Sequence, residues 1–195
     1  MSHYFIEDNS LKQNIKKFPY YYRDNEFLFT TNSGLFSKDH ADPASDILLK
    51  NIPALSGSLL DMGCGYGLIG IVLAKTCSLQ LTQADVNQAA VDLTKLNCEQ
   101  NKVESVVVKS DCFGNISGSF DTIVINPPIH AGKAVTYKMY GDSPAHLNPG
   151  GKLYIVTLKK HGAGSTLEKL KSVFGNCETL YRKKGVYVFC CTKNG

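Results

Sequence analysis

The sequence predicts an α/β fold, a seven-stranded, mostly parallel sheet with helices on both faces and an antiparallel hairpin at its C-terminal end. Three observations predict it. Short apolar runs alternate with segments of helical spacing through the chain, and each run empties into a polar or glycine-rich turn. The turn Asp61-Met62-Gly63-Cys64-Gly65-Tyr66-Gly67 stands between such a run and a helical segment. The last two runs are joined only by Lys183-Lys184-Gly185, a link that forces neighbouring strands to run antiparallel.

Taken in order, residues 3–36 contain aromatic, β-prone pieces, Tyr20-Tyr21-Tyr22 and Phe27-Leu28-Phe29-Thr30-Thr31, split by the polar Arg23-Asp24-Asn25-Glu26. They predict a short antiparallel extension at one edge of the domain. Asp42 suits an N-cap and Pro43 a first helical turn, so a helix is expected over 43–50. Leu59-Leu60-Asp61 is a first strand, and the glycine turn after it feeds a helix over 68–75. A strand over 79–84 ends at Asp85, and 88–99 carries Ala89, Leu93 and Leu96 at helical spacing. A third strand is expected over 103–108, with Asp111 just past it, and a fourth over 121–125, apolar enough for the middle of a parallel sheet. The crossover helix falls within 131–148, broken or ending near Gly141-Asp142-Ser143-Pro144. A tight turn at Pro149-Gly150-Gly151 precedes a fifth strand over 152–158, a helix over 166–174, and strands over 178–182 and 186–191.

A length of 195 residues suits one domain over 1–195, an extension at 1–36 followed by a core at 37–195. With 43% apolar and 19% charged residues the composition is globular, and no apolar run is long enough to cross a bilayer. The opening Met1-Ser2-His3-Tyr4-Phe5-Ile6-Glu7-Asp8 lacks a basic region followed by an apolar one, so a cytoplasmic protein is expected. Seven cysteines without a C-x-x-C pair read as reduced thiols. His40, His130, His146 and His161 show no metal-ligand spacing, and no metal is expected. From Lys159 to Gly195 there are eight Lys/Arg against two acidic residues. Such a basic region attracts polyanions such as nucleic acid, or serves solubility alone.

Asn126-Pro127-Pro128-Ile129 follows the fourth strand, the place where a doubly wound sheet does its chemistry. Two prolines fix φ and offer no N–H, so the Asn126 amide and the Pro127 carbonyl can be held facing one point. That point suits an amino group that must be gripped. With the glycine turn upstream, it suggests a transferase acting on a planar nitrogen. Gly63, Gly65 and Gly67 depart from the usual pyrophosphate fingerprint. They would let the amino-acid end of an adenosyl cofactor lie against the backbone, with Asp61 reaching its ammonium directly or through water; a ligand-free turn is the plainer alternative. Asp85 can accept both ribose hydroxyls or merely cap a helix. Asp111 can accept the adenine amino group, with Cys112 or Phe113 near the ring, or be ordinary loop composition.

Further stretches carry a resemblance: His3-Tyr4-Phe5, TTNSGLFSK at 30–38, Asp61 to Gly67, Asp85-Val86-Asn87, NPPIHAGK at 126–133, His146 to Gly151, Lys159 to Ala163 and Lys184 to Tyr187. On them the chain resembles the small-subunit (16S) ribosomal RNA guanine-N2 methyltransferases, class I S-adenosylmethionine-dependent enzymes of Rossmann-like fold, in compact single-domain form. Asn-Pro-Pro alone also occurs in methylases of adenine, cytosine and protein glutamine; NPPIHAGK together with TTNSGLFSK is far more specific. Ala44 departs from a glycine frequent in the family. Longer relatives carry a noncatalytic duplicate domain, whose substrate contacts would here fall to the N-terminal extension, to a second subunit, or to nothing.

The resemblance implies methyl transfer from S-adenosylmethionine to the exocyclic N2 amine of a guanosine in small-subunit ribosomal RNA, leaving S-adenosylhomocysteine. It makes Asn126 and the Pro127 carbonyl acceptors for the two amine hydrogens. Asp61, Gly63, Gly65, Gly67, Asp85, Asp111, Cys112 and Asn126 border the cofactor. It assigns Pro128 and Ile129 to the purine, and His130 to stacking or hydrogen bonding with the base or its phosphate, with direct proton abstraction as the alternative. Phe36 and Lys38 fold over the mouth, with a core position open to Phe36, and Lys133, Lys159 and Lys160 meet phosphates. The target guanine must be flipped out or unpaired. Partners are ribosomal RNA or the assembled small subunit, as monomer or homodimer. Competing readings are methylation of another amine, adenine N6 or protein glutamine, and a noncatalytic nucleic-acid-binding domain of the same fold.

Overall fold

The computed structural model describes residues 15–32, 40–127 and 132–195. Strands β1 (Ile15–Tyr22) and β2 (Asn25–Asn32) form an antiparallel hairpin. The main sheet holds β3 (Gly57–Met62), β4 (Leu79–Asp85), β5 (Val106–Lys109), β6 (Phe120–Ile125), β7 (Leu147–Leu158), β8 (Glu178–Lys183) and β9 (Val186–Thr192). Their spatial order is β5-β4-β3-β6-β7-β9-β8, with β3 to β7 parallel and β9 antiparallel to both of its neighbours. The helices are α1 (Pro43–Asn51), α2 (Leu68–Thr76), α3 (Gln88–Asn101), α4 (Gly132–Asp142) and α5 (Ala163–Phe174). This is the Rossmann-like sheet the sequence predicts, hairpin included.

Successive strand residues point to opposite faces, and both faces are covered. Leu59, Val124, Tyr154 and Val188 join a core with the β1–β2 hairpin and residues of α1, α2 and α3; their neighbours Leu60, Ile123, Ile155 and Phe189 join a second core with residues of α4 and α5. The N-terminal hairpin is therefore part of the main core, more deeply built in than an edge extension. Phe18, Phe27 and Phe29 are buried, and Phe18 and Phe29 both pack edge-on against Tyr66 of the glycine turn. Asn97 and Asn101 of α3 act as a neighbouring strand for β2. Asn97 Oδ1 accepts from Thr30 N–H (2.8 Å) while its Nδ2 donates to Thr30 O (2.9 Å), and Asn101 does the same for Leu28 at 3.0 and 2.9 Å. Side-chain amides thus satisfy backbone groups that burial would otherwise orphan.

Three local expectations need correction. The third strand begins at Val106 instead of 103, because Lys102 adopts a left-handed φ of 55° and Val103 N–H closes the end of α3 on Cys98 O. The turn at Pro149-Gly150-Gly151 lies inside the long strand β7, as an irregularity against β6; Gly150 N–H and Gly151 O both bond Lys193, which keeps the segment in the sheet. Helix α5 starts at Ala163, three residues early, because its cap is Gly162 at φ 86° with no side-chain signal to announce it. The crossover segment is a helix ending at Asp142, followed by a 3-10 turn over Ser143–His146.

Candidate active site

The sheet topology makes the site. After β3 the chain moves outward to β4 and β5, then crosses back to pair β6 with the other side of β3, so the C-terminal ends of β3 and β6 form the switch point where open α/β sheets bind their ligands. Met62 and Ile125 are register partners. The glycine turn and Asn126 consequently leave the sheet side by side.

Gly63, Gly65 and Gly67 all have positive φ, at 75°, 60° and 89°. Side chains rarely tolerate that region. The turn's amides face inward: Gly63 and Cys64 N–H donate to Ala84 O, Gly67 N–H to Cys64 O, and Gly65 N–H to Asp85 Oδ2 at 2.9 Å. A pyrophosphate cradle needs such amides turned outward. This turn instead suits a cationic amino group, and it sits against two carboxylates. Helix α3 fixes it from behind through Thr94 Oγ1 to Gly65 O (2.9 Å) and Asn97 Nδ2 to Tyr66 O (2.7 Å), contacts that sequence spacing did not reveal. Gly67 has a packing reason of its own, since a Cβ there would stand 2.9 Å from Ile71 Cδ1.

Asp61 is 1% exposed and accepts Gly70 N–H at 2.8 Å. Burial pushes its carboxyl up to about 7, with the Gly70 amide pulling downward and the charge of Asp85 pushing up. Asp85, ending β4, also accepts Asn87 N–H at 2.9 Å, and its oxygens keep lone pairs for hydroxyl donors. Asp111 is exposed just past β5, while Cys112 and Phe113 are buried beside it and Phe113 stacks on His146 at 4.4 Å. Burial raises the thiols of Cys64 and Cys112, so neither supplies a thiolate near neutral pH. On the expectation that Asp85 accepts ribose hydroxyls, its replacement by Ala should weaken cofactor binding about 10- to 100-fold, the loss of hydrogen bonds to a charged acceptor, with kcat at saturating cofactor little changed. Calorimetric titration beside steady-state kinetics checks the split.

Asn126 is partly buried, and both hydrogens of its amide are used: Nδ2 donates to Asp42 Oδ2 at 2.8 Å and to Ser45 Oγ at 2.9 Å. Asp42 was legible as the cap of α1, and it does accept Ser45 N–H at 2.9 Å. Its bond to a residue 84 positions away was not legible. Pro127 lies within the described residues; Phe36, Lys38, Pro128, Ile129 and His130 lie outside them. Lys133, Lys159 and Lys160 are exposed at the same end of the sheet. Lys159 N–H donates to Gly185 O at 2.7 Å, which brings the Lys183-Lys184 turn beside them, a neighbourhood sequence reading missed. Among the described residues no group of three or more His, Cys, Asp or Glu could hold a metal ion, and no helix is long and apolar enough to cross a membrane.

Sheet order, inward-facing glycine turn and Asn-Pro corner together define a Rossmann-like methyltransferase domain. Residues 26–190 match the family model described as the methyltransferase small domain, and the chain belongs to that family. It is similar to uncharacterized protein YbxB of Bacillus subtilis, 39% identical across 98% of each chain. It is also similar to ribosomal RNA small subunit methyltransferase C of Photorhabdus laumondii, 37% identical over 88% of this chain and 52% of that one. Among solved structures, the Thermus thermophilus (T. Thermophilus) 16S rRNA N2 G1207 methyltransferase (RsmC) in complex with AdoMet and guanosine superposes with a TM-score of 0.84. That match has 26% identity and covers 93% of this chain and 51% of the other. The chain spans about half the length of these two methyltransferases.

Proposed function

We propose that this chain transfers a methyl group from S-adenosylmethionine to the N2 amine of a guanosine in small-subunit ribosomal RNA. The carrying observation is the Met62–Ile125 register, which sets the glycine turn and the Asn126-Pro127 corner next to each other at the switch point of the sheet. Likeness to a methyltransferase captured with AdoMet and guanosine supports the substrate. The residues fit the cofactor, since inward amides and the carboxylates of Asp61 and Asp85 favour an ammonium and ribose hydroxyls over a pyrophosphate. When bound, S-adenosylmethionine supplies a methyl carbon on a sulfonium as electrophile. Asn126 Oδ1 and the Pro127 carbonyl accept the two hydrogens of the guanine amine. Two fixed acceptors favour a pyramidal nitrogen with its lone pair directed at the methyl, and they stabilise the positive charge that grows there. The proton then leaves to solvent, so no strong base is required.

We read residues 1–195 as one catalytic unit working inside the cell, where ribosomal RNA is found. Lys133, Lys159 and Lys160 position the RNA backbone, and Lys183 and Lys184 extend the same basic rim. None of these five forms an ion pair among the described residues. Lys160→Ala should lower RNA affinity and reduce the slope of log K against log salt by about one. An unchanged slope would place Lys160 outside the footprint.

The deciding experiment incubates the chain and methyl-labelled cofactor with 16S ribosomal RNA, small subunits, DNA and protein in separate reactions, then identifies the labelled product by mass. N2-methylguanosine is expected. N6-methyladenosine or methylglutamine would move the activity to another amine, and no transfer to any of them would support the noncatalytic reading.

A further inference from the structure

We propose that Asp42 and Ser45 are positioning residues, whose task is to lock the Asn126 amide with its oxygen toward the acceptor amine. The inference rests on the guanine-N2 reading and adds what fixes the direction of the catalytic amide. Amide oxygen and nitrogen look alike by shape, so their assignment follows from the partners. Here the partners leave one solution. An ionised carboxylate only accepts, so the Asn126 atom 2.8 Å from Asp42 Oδ2 must be nitrogen. Ser45 Oγ gives its hydrogen to the same Asp42 oxygen at 3.1 Å, which leaves a hydroxyl lone pair for the second Asn126 hydrogen at 2.9 Å. Each bond dictates the sense of the next. A flipped amide would set oxygen against carboxylate on one side and present hydrogens to an amine that needs acceptors on the other.

The support behind this lock is firm. Ser45, Leu48 and Leu49 are buried, Tyr22 Oη donates to Leu49 O at 2.8 Å and Tyr20 Oη to Asp46 Oδ1 at 2.9 Å. The N-terminal hairpin thus braces α1, and α1 braces the amide. A site held this way keeps its geometry before substrate arrives. A plain helix cap at Asp42 would need only the Ser45 N–H bond.

Exchange of the two side-chain types separates lock from cap. Asn126→Asp alone places two carboxylates within hydrogen-bond distance, which cannot both ionise, and kcat should fall roughly 100-fold or more at pH 8. In the double variant Asp42→Asn/Asn126→Asp, the amide introduced at position 42 can donate where the native carboxylate could only accept, and about tenfold or more of that loss should return. Asp42→Asn alone should cost roughly tenfold in kcat, because either amide orientation of Asn126 is then satisfied. Cofactor affinity should stay within about twofold in all three. A cap-only Asp42 predicts that Asp42→Asn changes kcat by the same factor whether residue 126 is Asn or Asp; that result overturns the proposal. An independent readout needs no substrate: the side-chain amide hydrogens of Asn126 should exchange slowly by ¹⁵N NMR in the wild-type chain and faster in Ser45→Ala. Equal exchange also overturns it. Failure of the wild-type chain to methylate guanine, with slow Asn126 exchange retained, would remove the proposed substrate and leave the amide lock standing.

Discussion

Asn126→Ala is expected to lower kcat by roughly 10²- to 10³-fold while the dissociation constant of the cofactor moves by no more than about twofold. The asymmetry follows from where the side chain works. In the proposed mechanism its oxygen accepts a hydrogen of the amine, whose nitrogen gains charge only as the carbon–nitrogen bond forms, so the interaction is strongest at the transition state. The glycine turn, by contrast, is held by Ala84, Asp85, Thr94 and Asn97, none of which depends on Asn126. Nor should the variant unfold the domain. Asp42 keeps both of its bonds from Ser45, so this partly buried carboxylate is not left without a donor. Single-turnover kinetics with calorimetric titration of the cofactor test both halves, and a matching loss of cofactor binding would contradict the assignment.

What the sequence could and could not show has a physical pattern. The succession of strands and turns near the site was legible because apolar runs end in chemistry-bearing turns, and Asp85, Asp111 and Asn126 each close or follow such a run; the spatial order of the strands was not. Asp42 was legible because a cap acts over three residues. Its second task was hidden, since the bond to Asn126 joins segments that meet only when β6 is inserted beside β3. Asn97 and Asn101 were hidden for a similar reason. As polar residues in a helix they resemble a solvated face, yet they are buried because the hairpin lies over them. The pseudo-turn at Gly150-Gly151 misled because glycine permits a turn without requiring one, and pairing with Lys193 decided the outcome. Local rules found the elements, while contacts between distant segments set how the site is held.

Binding of S-adenosylmethionine should expel a proton below about pH 7, and affinity should fall as the medium is acidified, approaching about tenfold per pH unit. The origin is Asp61, whose burial pushes its carboxyl from 3.8 up to about 7 in the folded chain. The sign is opposite to that of a salt-bridged aspartate. Between pH 3.8 and about 7 the folded state holds a proton that the unfolded state has released, so this group's contribution to stability falls as pH rises through that window. Above it, an ionised carboxylate is buried against the Gly70 N–H. A cofactor ammonium placed beside the glycine turn supplies an opposing charge, lowers the Asp61 pKa and releases its proton. An α-amino group itself loses charge near pH 8, so affinity should peak between about pH 7 and 8. Asp61→Asn should abolish the acid limb, weaken binding at the peak and raise the thermal midpoint of the unliganded chain at pH 8. Calorimetry in two buffers of different ionisation enthalpy reads the proton directly: release approaching one at pH 6, and at pH 8 a net uptake of roughly half a proton as the ammonium form of the cofactor is selected, is the expected pair. Affinity that stays flat from pH 5.5 to 8 would detach Asp61 from the ammonium and leave its buried charge as a purely structural contact of α2.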